Sequence, residues 1–161
     1  MNENAERSVD RTGGPVMLAL STFRRSEQAI ALALEKAKTV GRLVVVYVAD
    51  VNLARYYIGT DVGLYPDLQE RVEEEVLLQH EAEGREEVAP IVDRARRLGI
   101  DVTRTEVTIG RFAMVCLGIV AEEKPSVIVT TRSRRPAWVR RFFGSPVDKL
   151  IAEAGCPVVE A

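Results

Sequence analysis

Short apolar runs, separated by segments with helical patterning, constrain the fold of this 161-residue chain more than any other feature. Residues 16–20 (VMLAL), 43–49 (LVVVYVA) and 127–131 (VIVTT) each have the length of a strand. Runs without polar alternation are typical of strands that are buried on both faces of a parallel sheet. The sequence therefore predicts one parallel sheet that is covered by helices on both sides.

The segments that follow the first two runs carry helix signals. Residues 24–40 have apolar residues at helical spacing, with Ser21-Thr22 as the predicted N-cap and Gly41 as the stop. Residues 67–97 have a helical composition, and Gly84 and Pro90 are expected to bend or split that helix. Its predicted core stripe consists of Val72, Val76, Val88, Val92, Ala95 and Leu98.

The second half of the chain continues the alternation of strands and helices. A third strand is predicted over 101–108, and Gly110 is expected to turn the chain into a helix over 112–123. A last helix starts with Ser145 as N-cap and Pro146 at the first helical position. This position suits proline, because an amide N–H there would have no hydrogen-bond partner in the helix. A fifth strand is predicted over 157–159.

Length and composition limit the domain organisation and the partners. We expect a single domain over 15–161, preceded by a disordered polar extension over 1–14. The net charge of -2 provides no general attraction to nucleic acid or to anionic membranes. The longest apolar run, 112–121, is too short to span a bilayer. Two isolated cysteines, Cys116 and Cys156, suggest a cytoplasmic protein with no disulfide framework and no zinc site.

The predicted architecture creates a crevice at the carboxyl ends of the strands. If strand one borders strand four, the loops over 21–25 and 132–143 meet where the strand order reverses, which is where such sheets bind ligands. The amide groups of Gly144 and Ser145 would face the same gap at a helix N-terminus, which favours phosphate.

Three stretches of the chain resemble the universal stress protein family. The end of the chain, GSPVDKLIAEAGCPVV, is similar to the closing helix and strand of that family. VMLALSTFRRSEQAIALALEKA is similar to its first strand and helix, and VTIGRFAMVCLGIVAEEKPSVIVTT to its third helix and fourth strand. The resemblance implies a Rossmann-like α/β sandwich of the adenine nucleotide alpha hydrolase-like type. It also implies a five-stranded parallel sheet in the order 3-2-1-4-5, and a homodimer that often forms through the last strand.

The resemblance also implies a nucleotide-binding site, but this chain departs from the family's sequence pattern at several positions of that site. ATP-binding members carry Gly-x2-Gly-x9-Gly followed by Ser or Thr, and the first two glycines fall on Thr130 and Ser133 here. Gly144-Ser145 is retained, but ten residues separate Ser133 from Gly144. The acidic residue that follows the first strand in the family falls on Ser21. Because a β-carbon restricts close approach of the backbone to phosphate, these changes predict that ATP binds weakly or not at all.

The candidate cofactor-binding residues at this crevice belong to the two facing loops and the last helix start. They are Ser21, Thr22, Thr130, Arg132, Ser133, Gly144 and Ser145.

The loop over 132–143 is rich in arginine and allows two interpretations. Arginine side chains there could replace the glycines and hold a small anion through forked hydrogen bonds, or they could form a solvated surface. The interleaved aromatic residues could stack nucleic acid, which the near-neutral net charge disfavours. The arginines are Arg132, Arg134, Arg135, Arg140 and Arg141, and the aromatic residues are Trp138, Phe142 and Phe143.

The sequence contains no catalytic or metal-binding pattern. His80, the single histidine, lies in the acidic helix and is expected at the surface. Tyr56, Tyr57 and Tyr65 could line the crevice or pack their loop onto the sheet. Three functions stay open: a regulatory or interaction module of the stress response without ATP binding, a nucleotide- or anion-binding stress protein, and an enzyme such as an ATP hydrolase. The first is favoured and the enzyme is disfavoured.

Overall fold

The computed structural model describes residues 13–22, 26–52, 66–132, 141 and 145–161. The strands within these residues are β1 (Val16–Ser21), β2 (Arg42–Asp50), β3 (Asp101–Gly110), β4 (Val127–Thr130) and β5 (Val158–Glu160). They form one parallel sheet in the order β3-β2-β1-β4-β5, which confirms the predicted fold class and strand order. The helices are α1 (Glu27–Val40), α2 (Pro66–Arg97), α3 (Phe112–Glu123) and α4 (Pro146–Glu153).

Helices cover both faces of the sheet, and this explains the uninterrupted apolar runs. On one face, Leu18 and Val45 pack with buried residues of α1 and α2. On the other face, Met17 and Val46 pack with buried residues of α3 and α4. All six residues of β1 are buried, because alternate side chains enter two different cores.

The first helix begins later than the sequence predicted. Ser26, not Ser21-Thr22, is its N-cap, and the Ser26 hydroxyl accepts a hydrogen bond from the Ala29 amide at 3.3 Å. Ser21 and Thr22 are instead buried at the end of β1. The prediction failed because several hydroxyl residues precede the apolar stripe, and spacing alone did not rank them. Gly41 ends the helix with φ 83°, as predicted.

The second helix is not split by Gly84 or Pro90. It runs without interruption from Pro66 to Arg97. Pro90 and Glu86 are both exposed, so the helical hydrogen bond that Pro90 removes lies on the exposed side of the helix. Of the predicted core stripe, Val88, Val92 and Ala95 are buried, whereas Val72 and Val76 are only half-buried and are not part of the core. Leu98 is wrong, since it lies after the helix and is 42% exposed.

Other boundaries move by one or two residues. β3 extends through Gly110, so that glycine ends the strand and is not the predicted turn. β4 ends at Thr130 and β5 begins at Val158, one residue from the predicted limits in each case. The fourth helix begins as predicted, with Ser145 as N-cap and Pro146 in its first turn.

Within the described parts of the chain, no helix is long and apolar enough to cross a membrane. The same residues contain no group of three or more His, Cys, Asp or Glu side chains that could hold a metal ion.

Candidate functional site

The first and fourth strands are neighbours in the sheet, as the predicted crevice requires. β1 and β4 pair in parallel, with Ala19 opposite Thr130. Their carboxyl ends therefore lie side by side at the point where the strand order reverses.

The last residue of β1 and the one after it place two hydroxyl groups at this edge. Ser21 is 2% exposed and Thr22 is 4% exposed. Alternation along the strand puts Ser21 on the face of α3 and α4, and Thr22 on the face of α1 and α2. The Thr22 amide extends the ladder by donating to the Val48 carbonyl at 3.2 Å. The Thr22 hydroxyl oxygen is buried and has no hydrogen-bond partner among the described residues.

Thr130, at the end of β4, is fixed by a hydrogen bond across the sheet. Its hydroxyl donates to the Ala19 carbonyl at 2.9 Å, and the residue is 1% exposed. Its β-carbon and methyl group therefore occupy the position where the family pattern places a glycine. A ligand backbone or phosphate cannot approach the Thr130 Cα as closely as it could approach a glycine.

The residues that follow β4 lie beside the end of β5. The Arg132 amide donates to the Ala161 carbonyl at 2.9 Å, which holds the start of the arginine-rich loop beside the C-terminus. Arg132 is exposed, whereas Thr131 before it is buried. The Arg132 side chain is thus exposed two residues after the end of β4.

Ser145 contributes a capped helix start to the same side of the sheet. Its hydroxyl accepts a hydrogen bond from the Val147 amide at 3.2 Å, and Ser145 is 8% exposed. Val147, one turn into α4, packs in the same core as Ala19 and Ile128. The structure therefore brings Ser145 to the face of the β1–β4 edge that Ser21 and Thr130 share.

Several predicted site residues lie outside the described part of the chain. They are Ser133 and Gly144 of the candidate site, Arg134, Arg135, Arg140, Trp138, Phe142 and Phe143 of the arginine-rich loop, and the three tyrosines Tyr56, Tyr57 and Tyr65. Arg141 of that loop is described and is exposed.

Sequence reasoning missed a buried carboxylate at the same edge of the sheet. Asp50, the last residue of β2, is 6% exposed and accepts a hydrogen bond from the Asn52 amide at 2.9 Å. Alternation along β2 places Asp50 on the face of the sheet that α3 covers, where Cys116 also lies. Burial, and secondarily the charge of Asp50, raise the pKa of the Cys116 thiol to about 12. The available signal was an aspartate placed directly after a long apolar run.

Tyr47 is the second residue that the sequence did not single out. It is 3% exposed on the opposite face, under α2. Burial is the main cause that raises the pKa of its phenol, and the charges of Glu87 and Glu83 add to this. The neighbouring Thr22 hydroxyl lowers that pKa, although the contact falls short of hydrogen-bonding geometry. Tyr47 is thus neutral at physiological pH.

The described residues of the site provide hydroxyl groups, one carboxylate and one exposed arginine. His80 lies on α2, which covers the other face of the sheet, so it contributes no base to Ser21 or Ser145. Hydroxyl groups can bind and orient a polar ligand by donating and accepting hydrogen bonds.

Comparisons with known proteins agree with this architecture. The family model described as "Universal stress protein family" matches residues 14–159. A comparison with curated proteins finds no match. The fold is similar to that of the universal stress protein UspA from Lactobacillus plantarum, with a TM-score of 0.66 and 16% identity, covering 92% of this chain and 97% of that one.

Two similar structures contain nucleotides. A universal stress protein in complex with cAMP has a TM-score of 0.53 and 12% identity, covering 93% of this chain and 98% of that one. A universal stress protein family protein from Arabidopsis thaliana with AMP bound has a TM-score of 0.50 and 15% identity, covering 91% of this chain and 90% of that one. At these identities the likeness concerns the fold.

Proposed function

Because the chain belongs to the universal stress protein family, we propose that it is a regulatory or interaction module of the stress response that does not depend on ATP binding. The strand order that places β1 beside β4 is retained, but Ser21 and Thr130 stand at their carboxyl ends where the family resemblance expects an acid and a glycine.

The observation that supports this proposal most directly is the state of Thr130. Its hydroxyl is used by the Ala19 carbonyl, and its side chain is buried in the sheet. A nucleotide would have to displace a side chain that is held by packing and by a hydrogen bond of 2.9 Å. At Ser21 a neutral hydroxyl replaces the carboxylate that could accept hydrogen bonds from a nucleotide.

Isothermal titration with ATP, AMP and cAMP tests the proposal. We expect no saturable heat at micromolar nucleotide concentrations. Saturable binding in that range would refute the ATP-independent function. The double variant Thr130→Gly/Ser21→Asp is the matched gain-of-function control, because it restores two features of the family pattern. It should bind ATP more tightly than the parent chain if the loss of these features explains the weak binding.

A second candidate function is binding of a nucleotide or another small anion through the arginine-rich loop and the Gly144-Ser145 helix start. It is favoured by two observations: the exposed Arg132 two residues after β4, and the capped start of α4 on the face that Ser21 and Thr130 share. The two nucleotide-bound relatives also favour it. Binding through exposed guanidinium groups would weaken steeply with salt. Arg134→Ala/Arg135→Ala would remove most of that salt dependence, whereas a change in the acidic α2, such as Glu74→Gln, would not.

We also propose that the protein is a cytoplasmic homodimer. Cys116 is buried and both cysteines are free, which suits a reducing compartment. The family resemblance favours a dimer through the C-terminal strand. However, β5 spans three residues, so its outer edge offers few backbone groups for pairing. Size-exclusion chromatography with light scattering tests the dimer, and a monomer at high micromolar concentration would refute it.

A further inference from the structure

The opposite edge of the sheet is formed by the longest strand among the described residues. β3 is an edge strand of ten residues, and among the described residues no backbone group pairs with its outer side. Between β3 and α2 lies an open groove of about 280 Å³. The groove has an apolar floor that includes Val88 and Val107, and a charged rim that includes Arg85 and Asp93. An unpaired edge beside an apolar groove is a surface that a folded protein normally covers.

Two of the three charged residues on the rim, Arg85 and Asp93, are placed symmetrically about one small residue, and the third is Arg96. Arg85, Ala89 and Asp93 follow one another at intervals of four residues, so they lie on one side of α2 and all line the groove. All three are exposed. A twofold axis through Ala89 would pack two copies of α2 antiparallel and bring Arg85 opposite Asp93 of the partner subunit. Alanine at the crossing point permits a close approach of the two helices.

The strand beside the helix is compatible with the same axis. Thr105 lines the groove together with Ala89, so one axis can pass close to both residues. Antiparallel pairing of β3 about Thr105 would bring Arg104 opposite Glu106 of the partner subunit. Arg104 already pairs with Glu106, Glu122 and Glu123 of its own chain, so this contact would extend an existing charge network. The register shift opposite Leu43 and Val44 leaves Thr103 outside the regular ladder, so this pairing would be short. The helices would therefore carry most of the charge complementarity.

From these relationships we infer that the groove between α2 and β3 docks a second copy of this chain, with α2 antiparallel to α2 and Arg85 paired with Asp93 of the partner subunit. The inference specifies the surface that forms the proposed homodimer. It does not depend on whether the crevice between β1 and β4 binds a nucleotide. Such an interface is isologous, since each copy offers the same surface to the other.

Charge reversal tests this geometry directly. Arg85→Asp alone would place two aspartates opposite each other at both symmetric positions, and Asp93→Arg alone would place two arginines there. Each single variant should raise the dimer dissociation constant roughly 10- to 100-fold, because like charges repel across an interface. The double variant Arg85→Asp/Asp93→Arg should restore dimerisation. An equimolar mixture of the two single variants should form heterodimers, because every facing pair is then opposite in charge.

The control variants are Arg71→Asp and Glu75→Arg, which reverse exposed charges in the first half of the same helix, outside the groove. They should leave the dissociation constant unchanged in sedimentation equilibrium. Arg85 forms an exposed ion pair with Glu81 at 3.3 Å, so thermal unfolding of each variant should be compared to show that it is folded.

Two results would overturn the inference. One is a dimer that is insensitive to both single reversals but is lost on deletion of residues 157–161. That result would locate the homodimer at β5 and leave the proposed function intact. The other is a parent chain that is monomeric at high micromolar concentration, which would also remove the proposed homodimer.

Discussion

The aromatic ring of Tyr47 packs so closely against Gly84 that a β-carbon on residue 84 would lie 2.4 Å from the Tyr47 Cδ1 atom. Gly84 is buried in the middle of α2, and Tyr47 is buried in β2 beneath it. A glycine inside a helix normally costs about 0.5–1 kcal/mol relative to alanine. Here it is the residue that lets a 32-residue helix lie directly on a tyrosine of the sheet.

The first prediction compares two glycine-to-alanine substitutions in helices. Gly84→Ala should lower the free energy of unfolding by about 1–2 kcal/mol, because the clash with a buried ring outweighs the gain in helix propensity. Gly118→Ala in α3 should raise it by roughly 0.5–1 kcal/mol, since nothing lies within 4 Å of the added carbon. Urea denaturation measures both. A change of the same sign in the two variants would contradict the packing argument.

The second prediction separates two buried threonines at the candidate site. Thr130→Val removes a hydroxyl that donates to the Ala19 carbonyl, so the free energy of unfolding should fall by about 1–2 kcal/mol. Thr22→Val removes a buried hydroxyl that has no hydrogen-bond partner among the described residues, so stability should stay the same or increase slightly. Thermal unfolding at neutral pH checks both variants. Equal losses would mean that Thr22 has a partner of comparable strength.

These comparisons also indicate how far the sequence determined the site. The runs at 16–20 and 43–49 were sufficient to predict a parallel sheet, because a strand covered on both faces leaves a pattern that few other structures produce. The strand order came from the family resemblance. The N-cap role of Ser145 was predicted correctly, because its hydroxyl accepts a hydrogen bond from an amide only two residues later in the sequence. The bond from Thr130 to Ala19 joins residues 111 positions apart and leaves no local pattern.

The errors have a related physical cause. Pro90 is a helix breaker by intrinsic preference, but α2 buries Val88, Ile91, Val92 and Ala95 around it, and this tertiary packing keeps the helix continuous. Asp50 was overlooked because an aspartate after a strand is an ordinary turn signal. Its burial depends on neighbouring elements and cannot be read from the residues beside it.

The third prediction concerns stability at alkaline pH. The pKa of the Cys116 thiol is raised from 9.0 to about 12 in the folded chain, so the unfolded chain loses this proton first as the pH rises. The stabilising contribution of the neutral thiol is complete below pH 9 and is lost between about pH 9 and 12, at up to about 1.4 kcal/mol per pH unit. Cys116→Ala should be less stable at pH 7 because of the cavity, but its stability should fall less between pH 9 and 11. Parallel pH profiles of the two proteins would contradict the assignment.

The last prediction distinguishes the structural role of Ser145 from a role in binding. Ser145→Ala removes the hydroxyl that caps the Val147 amide and should lower the free energy of unfolding by about 1 kcal/mol. Ser145→Asp keeps a capping oxygen and adds a negative charge at the start of α4, where it interacts favourably with the helix dipole, so stability should be retained.

The added charge of Ser145→Asp would also repel a phosphate at that helix start. If the second candidate function is correct, Ser145→Asp should weaken anion binding more than Ser145→Ala does, although it is the more stable protein. The charge control Thr103→Asp adds a carboxylate at an exposed position near the start of β3, away from the carboxyl ends of β1 and β4, and should leave any binding unchanged. Titration with ATP measures the binding, and thermal unfolding measures the stability. If binding follows stability across the three variants, Ser145 acts only as a helix cap.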